Sequence, residues 1–461
     1  MAQSYTPGEP IAAIATPLAP SALGIVRASG NGCIELLAKL FSRPEALCTA
    51  QGNSIVYGWI ADGANKIDEV LVSVFRAPKS FTGEDMAEIS CHGGPSIVTA
   101  IYNLLISHGF RSAERGEFTF RAYVNGKSDL TKAEAVREII ESRTDEARGH
   151  AAGRLAGSLY HEIDAVKKLI IAALASIEVA VEYPEDEETI ADSFDTAGIQ
   201  LAQARLQMLA DSWQSEKLYQ DGARVVLCGK TNAGKSSLFN TLLKEERAIV
   251  SDIAGTTRDW LESWADFSGI PVRLFDTAGL RKTADEVEKQ GVALAHSLTH
   301  DADVVLYVID STEGYTEDDA QFLRPCAERI VVVWNKCDVA QNQVRLSDAQ
   351  KKLIKNLHGE IAVSAKNGTN IAALVEAVWA VLTSGMATER VQAGLGSARQ
   401  KVAIVDALES VKHAQESGAQ YTLDAVVQDL EDALASLGEV TGEVTPDDVL
   451  DSVFSNFCVG K

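Results

Sequence analysis

The sequence predicts a multidomain α/β protein in which a helical domain is interrupted by an inserted α/β domain with a mostly parallel sheet. With 461 residues, the chain is long enough for about three domains of ~150 residues each. Short β-type runs and glycine turns come first, and apolar residues then recur at helical spacing between Leu155 and Val181 and between Leu423 and Leu437. Strand and helix patterns alternate in between, as expected of parallel strands joined by helices.

Each segment of the chain carries its own pattern. The runs SIVYGWI, VLVSVF and MAEIS predict strands of an N-terminal α+β domain over residues 1–122. Within residues 123–220, the apolar spacing predicts one long amphipathic helix that starts at Leu155, and the acidic run YPEDEE ends it. The runs ARVVLC, VRLF, ADVVLYVI, RIVVVW and EIAVS predict the strands of an α/β insertion over residues 221–386. Residues 387–461 then return to the helical domain, an arrangement that is tolerated where chain ends lie close together.

Composition and charge exclude several classes of protein. Hydrophobic residues make up 46% and charged residues 23%, an ordinary globular balance. The seven cysteines form no CxxC pair, which argues against a disulfide framework or a zinc site and for a reducing compartment. No apolar run is long enough to span a bilayer and no signal segment starts the chain, so we expect a cytoplasmic protein without membrane association. The net charge of −23 repels a phosphate backbone, so action on nucleic acid would need a local basic patch or a partner protein.

The strongest chemical motif is the segment GKTNAGKSS at residues 229–237. Gly229, Gly234, Lys235 and Ser236 fit the pattern GxxxxGK[ST], between the strand ARVVLC and the helical stretch SLFNTLL. In that setting, backbone N–H groups of the loop and of the helix N-terminus cradle phosphates. The lysine reaches the terminal phosphates and the serine hydroxyl holds Mg²⁺. A plain glycine turn is the alternative, and the motifs that follow argue against it.

Further motifs lie at the ends of later strands. DTAG places Asp276 for the metal shell and the Gly279 amide for a terminal phosphate. NKCD supplies Asp338, whose carboxylate can accept two hydrogen bonds from the N–H edge of guanine, a donor pair that adenine lacks. SAK would support the base, and Thr257 in the upstream segment DIAGTTRD can reach Mg²⁺. Together these motifs predict a guanine-nucleotide domain.

The residue after DTAG limits the mechanism. Many relatives of Ras place a glutamine there to orient the attacking water, and here the position is Leu280, which cannot do so. Candidate acids and bases lie just beyond it at Asp285, Glu286 and Glu288. No arginine finger can be identified, and the nearby arginines are better explained as structural or surface residues.

The N-terminal motifs are harder to interpret. SCHGGP puts Cys91 beside His92, and adjacent residues on a strand point to opposite faces, so turn and core roles are favoured over a nucleophile–base pair. SFTGEDMAEI and RGEFTFRAYVNGK are rich in charge and glycine, without a general chemical signature.

Near the C-terminus, Cys458 has three interpretations: a lipid attachment site in a CaaX box, a reactive thiol, or a small apolar packing residue. Lys461 at position X and the lack of a preceding polybasic stretch disfavour the first interpretation. The other two stay open on the residues alone.

The loop GKTNAGKSS, the segments DIAGTTRD, DTAGLR and NKCD, the interrupted helical pattern and the terminal FCVGK together resemble the MnmE (TrmE) family of tRNA modification GTPases. The resemblance runs essentially end to end and includes SFTGED, HGGP, RGEFTFRAYVNGKSDL and LGEVTGEVTPDDVL. One stretch departs from the family. TPLAPSAL stands where members usually carry a glycine-rich TPxGxGGI, which leaves the local loop shape open, although the following GIVRASG fits.

The resemblance implies that the N-terminal domain binds a tetrahydrofolate derivative as one-carbon donor and mediates homodimerisation. The matching folate positions are Arg27, Glu88 and Lys127, with Lys461 close by, and Cys458 becomes the expected modification-site thiol. It also implies a flavoprotein partner, MnmG, in a heterotetrameric or larger complex. The partner would supply FAD and much of the RNA surface, which would reconcile tRNA chemistry with the acidic charge. Together they would attach an aminomethyl or carboxymethylaminomethyl group to C5 of the wobble uridine of certain tRNAs.

For the G domain, the resemblance implies pairing of two such domains across the nucleotide, with K⁺ in place of an arginine finger. Asn232, Ser251, Ile253 and Thr256 match the positions around K⁺, the third through its carbonyl, and Glu288 matches a water-orienting glutamate. The positions that the motifs and the resemblance together assign to the nucleotide are Asn232, Ala233, Gly234, Lys235, Ser236, Ser237, Ser251, Asp252, Ile253, Ala254, Gly255, Thr256, Thr257, Asp276, Thr277, Ala278, Gly279, Asn335, Lys336, Asp338, Ser364, Ala365 and Lys366.

Three alternative functions compete with this interpretation. A ribosome-assembly or translation GTPase would share the α/β core and bind ribosomal RNA, but it predicts a basic appended domain that this chain lacks. A pure switch would retain the folate-like pocket only as a vestige, and a measurement of folate binding distinguishes it from the enzyme. A lipid-anchored signalling GTPase depends on the disfavoured CaaX box.

Overall fold

The computed structural model describes residues 6–182, 196–245, 248–249, 261–276, 299–340, 345–386, 393–420 and 423–461. The chain divides into two compact units. Unit 1 comprises Met1–Arg137, Arg154–Leu206 and Ala398–Lys461, and unit 2 comprises Glu138–Gly153 and Gln207–Ser397. The finer division into four segments that the sequence suggests stays a prediction.

A six-stranded sheet with the strand order β3-β4-β5-β2-β1-β6 forms the first part of unit 1. Its strands are β1 (Ile11–Ile14), β2 (Ser21–Ser29), β3 (Ser54–Asp62), β4 (Asn65–Phe75), β5 (Met86–Gly93) and β6 (Arg111–Ser112). All neighbours are antiparallel except β1 and β6. The helices α1 (Cys33–Ala38), α2 (Pro44–Cys48) and α3 (Pro95–Ser107) accompany it, and apolar residues of α1 and α3 share a buried core with those of the central strands. The runs SIVYGWI, VLVSVF and MAEIS lie in β3, β4 and β5 as predicted.

The chain then becomes helical. The helices are α4 (Glu117–Val124), α5 (Leu130–Glu141), α6 (Asp145–Leu155), α7 (Ser158–Glu182) and α8 (Thr196–Asp221). The prediction of a single helix from Leu155 is wrong at its start. Leu155 ends α6 and Ser158 begins α7, because Gly157 between them has a φ of 100°, a left-handed conformation that interrupts a helix. Of the apolar positions that the spacing predicts to be buried, Leu174 is partly buried, and the fully buried ones are Leu159, Ile163, Val166, Ile170 and Ile177.

Unit 2 is built on a seven-stranded sheet with the order β13-β12-β11-β7-β10-β9-β8. The strands are β7 (Ala223–Gly229), β8 (Ala248–Ile249), β9 (Leu261–Phe267), β10 (Ile270–Asp276), β11 (Val304–Asp310), β12 (Ile330–Asn335) and β13 (Leu357–Ala362). The five strands from β13 to β10 pair in parallel, and β9 and β8 add antiparallel pairs at one edge. Between and after these strands, the described helices are α9 (Lys235–Glu245), α10 (Glu317–Leu323), α11 (Asp348–Leu353) and α12 (Ile371–Leu382), and unit 2 also includes most of α6 and the last part of α8. The mostly parallel sheet is therefore confirmed.

After the insertion, unit 1 resumes with α13 (Ala398–Gln420), α14 (Leu423–Thr441) and α15 (Asp447–Ser455). α13 packs along α14, and α14 contacts α7, so helices from both sides of the insertion meet in one unit. This confirms a helical domain interrupted by an α/β domain. Within the described ranges, we find no helix with the length and apolar character needed to cross a membrane.

Candidate functional site

The phosphate-binding loop predicted from GKTNAGKSS joins β7 to α9. Gly229 has a φ of 132°, and a Cβ there would lie 2.1 Å from the carbonyl oxygen of Val308. Gly234 has a φ of 90°, and its Cβ would lie 2.2 Å from Asn335 Nδ2. Both glycines are therefore required by conformation and by close approach. Asn232, at the exposed part of the loop, also has a positive φ of 64°.

The first residues of α9 bring two predicted functional groups into the site. Lys235 is only 8% exposed, and its Nζ donates to the carbonyl oxygens of Gly229 and Lys230 at 2.8 and 2.7 Å. Ser236 Oγ donates to Asp276 Oδ2 at 2.6 Å, and Asp276 is fully buried at the end of β10. A hydroxyl and a carboxylate are hard oxygen donors of the kind that Mg²⁺ prefers.

Asn335 joins the remaining nucleotide motifs. Its Nδ2 donates to the carbonyl oxygen of Ala233 at 2.8 Å, and its Oδ1 accepts from the Ala365 amide at 3.1 Å. The Ala365 carbonyl oxygen in turn accepts from Thr241 of α9 at 2.7 Å. Because Asn335 is buried, these bonds hold the NKCD, SAK and phosphate-binding loops against one another.

In the NKCD loop, the lysine is bonded to a buried aspartate and the aspartate of the motif is exposed. Lys336 has a φ of 63°, and its Nζ donates to Asp310 Oδ2 at 2.5 Å. Burial raises the pKa of Asp310, but the bonds from Lys336 and Thr312 outweigh it and hold this pKa below its usual value. Asp338 is exposed and accessible to a ligand. Among the other predicted contacts, Ser364 is buried, whereas Ser237 and Lys366 are exposed.

Much of the predicted catalytic machinery lies outside the described residues and stays a prediction. These positions are Ser251, Asp252, Ile253, Ala254, Gly255, Thr256, Thr257, Thr277, Ala278, Gly279 and Glu288. Of the predicted K⁺ positions, the described part of the chain includes Asn232.

A second predicted site lies on the first sheet. Arg27 of β2 and Glu88 of β5 are register partners, and Nε and Nη2 of Arg27 lie 2.9 and 2.8 Å from the same oxygen, Glu88 Oε1. The guanidinium carbon lies 5.6 Å from the centroid of the Phe118 ring and 6.0 Å from that of Phe81. Arg27 Nη1 donates to the carbonyl oxygen of Gly460 at 2.8 Å, which brings the C-terminal tail into the site.

The other two predicted folate positions border this pair. Lys461 is partly buried, and burial, together with the nearby charge of Arg27, lowers its pKa below the usual lysine value. Lys127 is exposed, and its Nζ donates to the carbonyl oxygen of Pro78 at 3.0 Å, in the loop that also carries Phe81. The structure therefore brings Arg27, Glu88 and Lys461 together, with Lys127 at the adjoining loop.

The C-terminal tail is docked on unit 1 by main-chain contacts. Arg115 and Val459 form an antiparallel bridge, and the Gly116 amide donates to the Cys458 carbonyl oxygen at 3.4 Å. Phe454 and Phe457 are buried in a cluster whose other fully buried members are Phe120, Leu130, Ala133 and Leu450. The side chain of Cys458 is exposed. The tail thus presents this thiol two residues before the carbonyl that Arg27 holds.

Comparison with known proteins gives the family. Residues 10–127 match the family described as GTP-binding protein TrmE N-terminus, and residues 130–458 match the MnmE helical domain. The tRNA modification GTPase MnmE of Treponema denticola is 49% identical over 99% of both chains, and that of Treponema pallidum is 42% identical over 100% of both. This chain belongs to the MnmE family of tRNA modification GTPases.

Solved structures with a detectable likeness include Aquifex aeolicus Era bound to GDP and AlF₄⁻. That chain is 25% identical with a TM-score of 0.27, and the match covers 41% of this chain and 66% of the other. This structural similarity is too low to support a functional interpretation. The family assignment depends on the relatives that match end to end.

Sequence reasoning missed a buried ion network beside the second site. Arg121 is fully buried, and its Nη1 and Nη2 donate to Glu84 Oε2 and Glu117 Oε1 at 2.9 and 2.8 Å. Glu84 Oε2 also accepts from Ser29 Oγ at 2.8 Å, two residues along β2 from Arg27. These residues account for much of the charge in SFTGEDMAEI and RGEFTFRAYVNGK. The Glu117–Arg121 spacing of four was the available signal.

The SCHGGP motif behaves as the strand geometry predicts. Cys91 is buried, and burial raises its pKa to about 11. His92 is exposed, and its Nδ1 lies 2.7 Å from Asp68 Oδ1. The two side chains occupy different environments, which fits structural roles for both.

Proposed function

We propose that this protein hydrolyses GTP as part of an enzyme that modifies wobble uridines in tRNA. The end-to-end match with MnmE chains at up to 49% identity carries the proposal. The geometry supports it, because residues of the predicted phosphate-binding and base-recognition motifs are joined through Asn335 in one site.

In the nucleotide site, four described side chains take named roles. Lys235 would exchange its two carbonyl partners for the terminal phosphates, and Asp338 would select guanine by accepting from its N–H edge. Ser236 and Asp276 fit Mg²⁺, and together with Thr257 they would hold it directly or through water. When bound, this ion neutralises charge that develops on the transferred phosphoryl group.

Hydrolysis in this chain needs a substitute for the missing glutamine and arginine finger. We assign K⁺ binding to Asn232, Ser251, Ile253 and Thr256, and orientation of the attacking water to Glu288. When bound, K⁺ would stabilise developing charge between two paired G domains as an arginine does.

The test compares GTP turnover in K⁺ and in Na⁺ at equal ionic strength, and then in Glu288→Ala. Turnover should require K⁺ and fall at least ~100-fold in the variant, with Glu286→Ala as the matched control. Equal rates in both salts would contradict the first assignment, and a fully active Glu288→Ala the second.

The Arg27–Glu88 pair fits a one-carbon carrier of the tetrahydrofolate type. The two hydrogen bonds from Arg27 to Glu88 both go to Oε1. No hydrogen bond joins Glu88 Oε2 to another described residue. That oxygen can accept from the N–H edge of a pterin, while Arg27, Lys127 and Lys461 supply positive charge for the acidic end of such a ligand. The same domain would mediate homodimerisation.

The chemistry on the RNA needs a partner in this proposal. A flavoprotein partner, MnmG, would hold FAD and most of the RNA surface, consistent with the net charge of −23 on this chain. Cys458, exposed beside the one-carbon site, would be the modification-site thiol. The product would be an aminomethyl or carboxymethylaminomethyl group at C5 of the wobble uridine.

Mass analysis of tRNA nucleosides from cells that lack this protein tests the function directly. The modified wobble uridines should disappear, and the wild-type gene should restore them. Cys458→Ser should fail to restore them although its GTP hydrolysis is intact, with Cys48→Ser, which changes another exposed thiol, as the control. Unchanged wobble uridines in the deletion strain would refute the proposed function.

A further inference from the structure

The Arg27 guanidinium makes directed hydrogen bonds on two of its sides. Nε and Nη2 meet Glu88 Oε1, and Nη1 donates to the main-chain carbonyl oxygen of Gly460 at 2.8 Å. A planar guanidinium that is bonded on two sides cannot rotate without breaking one set of bonds. The orientation of Arg27, and with it that of Glu88, therefore depends on a carbonyl that the tail supplies.

The tail is built to place that carbonyl. Gly460 is buried and has a φ of 94°, and a Cβ on it would lie 2.9 Å from the carbonyl oxygen of Ile14 on β1. Ile14 is the register partner of Val26, the residue before Arg27. A second glycine, Gly116, provides a similar close approach, since its Cβ would lie 2.5 Å from the carbonyl oxygen of Phe454. Both contacts favour glycine where the tail meets the domain.

We propose that the Gly460 main-chain carbonyl positions Arg27 and, through it, Glu88 in the one-carbon site. This inference depends on the proposed function, because it takes the Arg27–Glu88 pair to be the ligand site. Gly460 is a positioning residue that acts through Arg27.

The arrangement also links ligand binding to the position of the thiol. Cys458 and Gly460 are two residues apart, a span of at most ~7 Å of extended chain. A ligand held by Arg27 and Glu88 therefore favours the same tail position that presents Cys458. By thermodynamic linkage, undocking of the tail weakens ligand binding, and a bound ligand stabilises the docked tail.

The test measures tetrahydrofolate binding to the full-length chain by calorimetry. Gly460→Ala should weaken binding about tenfold, the factor for one hydrogen bond to a charged group, with GTP turnover unchanged. Two controls should stay within about twofold. Gly63→Ala places the same strain at another glycine of positive φ, which has no atom within 4 Å of its added Cβ, and Val459→Ala trims an exposed tail side chain.

A double-mutant cycle separates positioning from general disturbance of the tail. In the Arg27→Lys background, Gly460→Ala should weaken tetrahydrofolate binding by less than about a further twofold. The hydrogen bond between Arg27 and the Gly460 carbonyl is already lost in that background.

Three results would count against the inference. Normal binding by Gly460→Ala, or full additivity with Arg27→Lys, overturns the positioning role and leaves the proposed function intact. Absence of tetrahydrofolate binding to the wild-type chain overturns the folate assignment itself, and this inference with it.

Discussion

Asn335 shows how one buried side chain organises the nucleotide site. It donates to the Ala233 carbonyl and accepts from the Ala365 amide, so it connects the phosphate-binding loop to the loop after the last strand. Gly234 has to lack a side chain because Asn335 Nδ2 lies where its Cβ would be.

Asn335→Ala should therefore destabilise unit 2 and weaken GTP binding together. It leaves a buried carbonyl and a buried amide without their partner, a loss of about 2–4 kcal/mol in the free energy of unfolding. Urea unfolding and nucleotide binding measure the two effects, with the exposed Asn240→Ala as control. A variant with weak GTP binding but wild-type stability would show that Asn335 contacts the nucleotide rather than the loops.

The proposed role of Asp338 is to select the base that the nucleotide site accepts. In Asp338→Asn the side chain offers one acceptor and one donor, which matches the N1–H and the C2 carbonyl of xanthine instead of the two donors of guanine. We expect GTP affinity to fall ~100-fold and XTP affinity to rise above it. Competition between the two nucleotides measures the switch, and Asp348→Asn, which changes an exposed carboxylate, is the control. Equal loss for both nucleotides would assign Asp338 a structural role.

The candidate nucleotide side chains could be predicted from the sequence because their motifs are local. Lys235 and Ser236 lie within a single loop-and-helix motif, and Asp276 and Asn335 end strands whose parallel order brings their ends together. The contact between Arg27 and Gly460 is of another kind. It spans 433 positions and uses a main-chain carbonyl, which no residue type encodes. The family resemblance suggested that these segments are close, but the bond itself required coordinates.

The start of α6 is fixed to the hairpin of β9 and β10. Thr144 Oγ1 accepts from the Ala147 amide at 3.2 Å, which caps the helix, and donates to the Gly269 carbonyl in the hairpin turn at 2.8 Å. The Arg143 guanidinium carbon lies 4.2 Å from the centroid of the Trp264 ring on β9. These contacts explain why residues 138–153 group with unit 2.

Thr144→Val keeps the shape of the side chain and removes both bonds. We expect unit 2 to lose about 2 kcal/mol, from the lost cap and the unpaired carbonyl. Urea unfolding followed by Trp264 fluorescence should show it. Thr383→Val, at a partly buried threonine whose hydroxyl donates to the Trp379 carbonyl oxygen one turn back, should change little. Equal effects of the two substitutions would mean that the contact with the hairpin adds no stability.

The buried ion network makes α4 a structural support for the loop that carries Glu84. Arg121→Met should destabilise unit 1 by about 3–5 kcal/mol, because Glu84 would lose a buried counter-charge and Glu117 would lose one of its two arginine partners, keeping Arg111. Arg148→Met removes an ion pair whose side chains are 60% and 75% exposed, and it should cost less than about 0.5 kcal/mol. Urea titration monitored by hydrogen exchange of α4 measures the difference. No loss of stability in Arg121→Met would show that Glu84 finds another partner.

For the whole molecule, alternation of strand and helix patterns was enough to predict an α/β domain inserted in a helical one. It could not predict that α6 groups with the α/β unit, because that depends on Thr144 meeting a carbonyl 125 positions later. The apolar spacing around Leu155 continues across two helices, and Gly157 breaks the helix by conformation rather than by polarity. Hydrophobic periodicity indicates which positions are buried, but it does not indicate where the backbone turns.

The net charge of the chain predicts how strongly the isolated protein binds tRNA. A chain with a net charge of −23 should contact few phosphates, so its affinity for tRNA should be weak, and log affinity against log salt should have a slope of magnitude about 2 or less. If the proposed flavoprotein partner supplies the basic surface, the slope should steepen by about 3 or more when that partner is present. Binding titrations over a salt series measure both slopes, and GTP binding in the same buffers checks that the chain stays folded. An isolated chain that binds tRNA as steeply as the complex would place the RNA surface on this protein, and a local basic patch would then have to overcome its net charge.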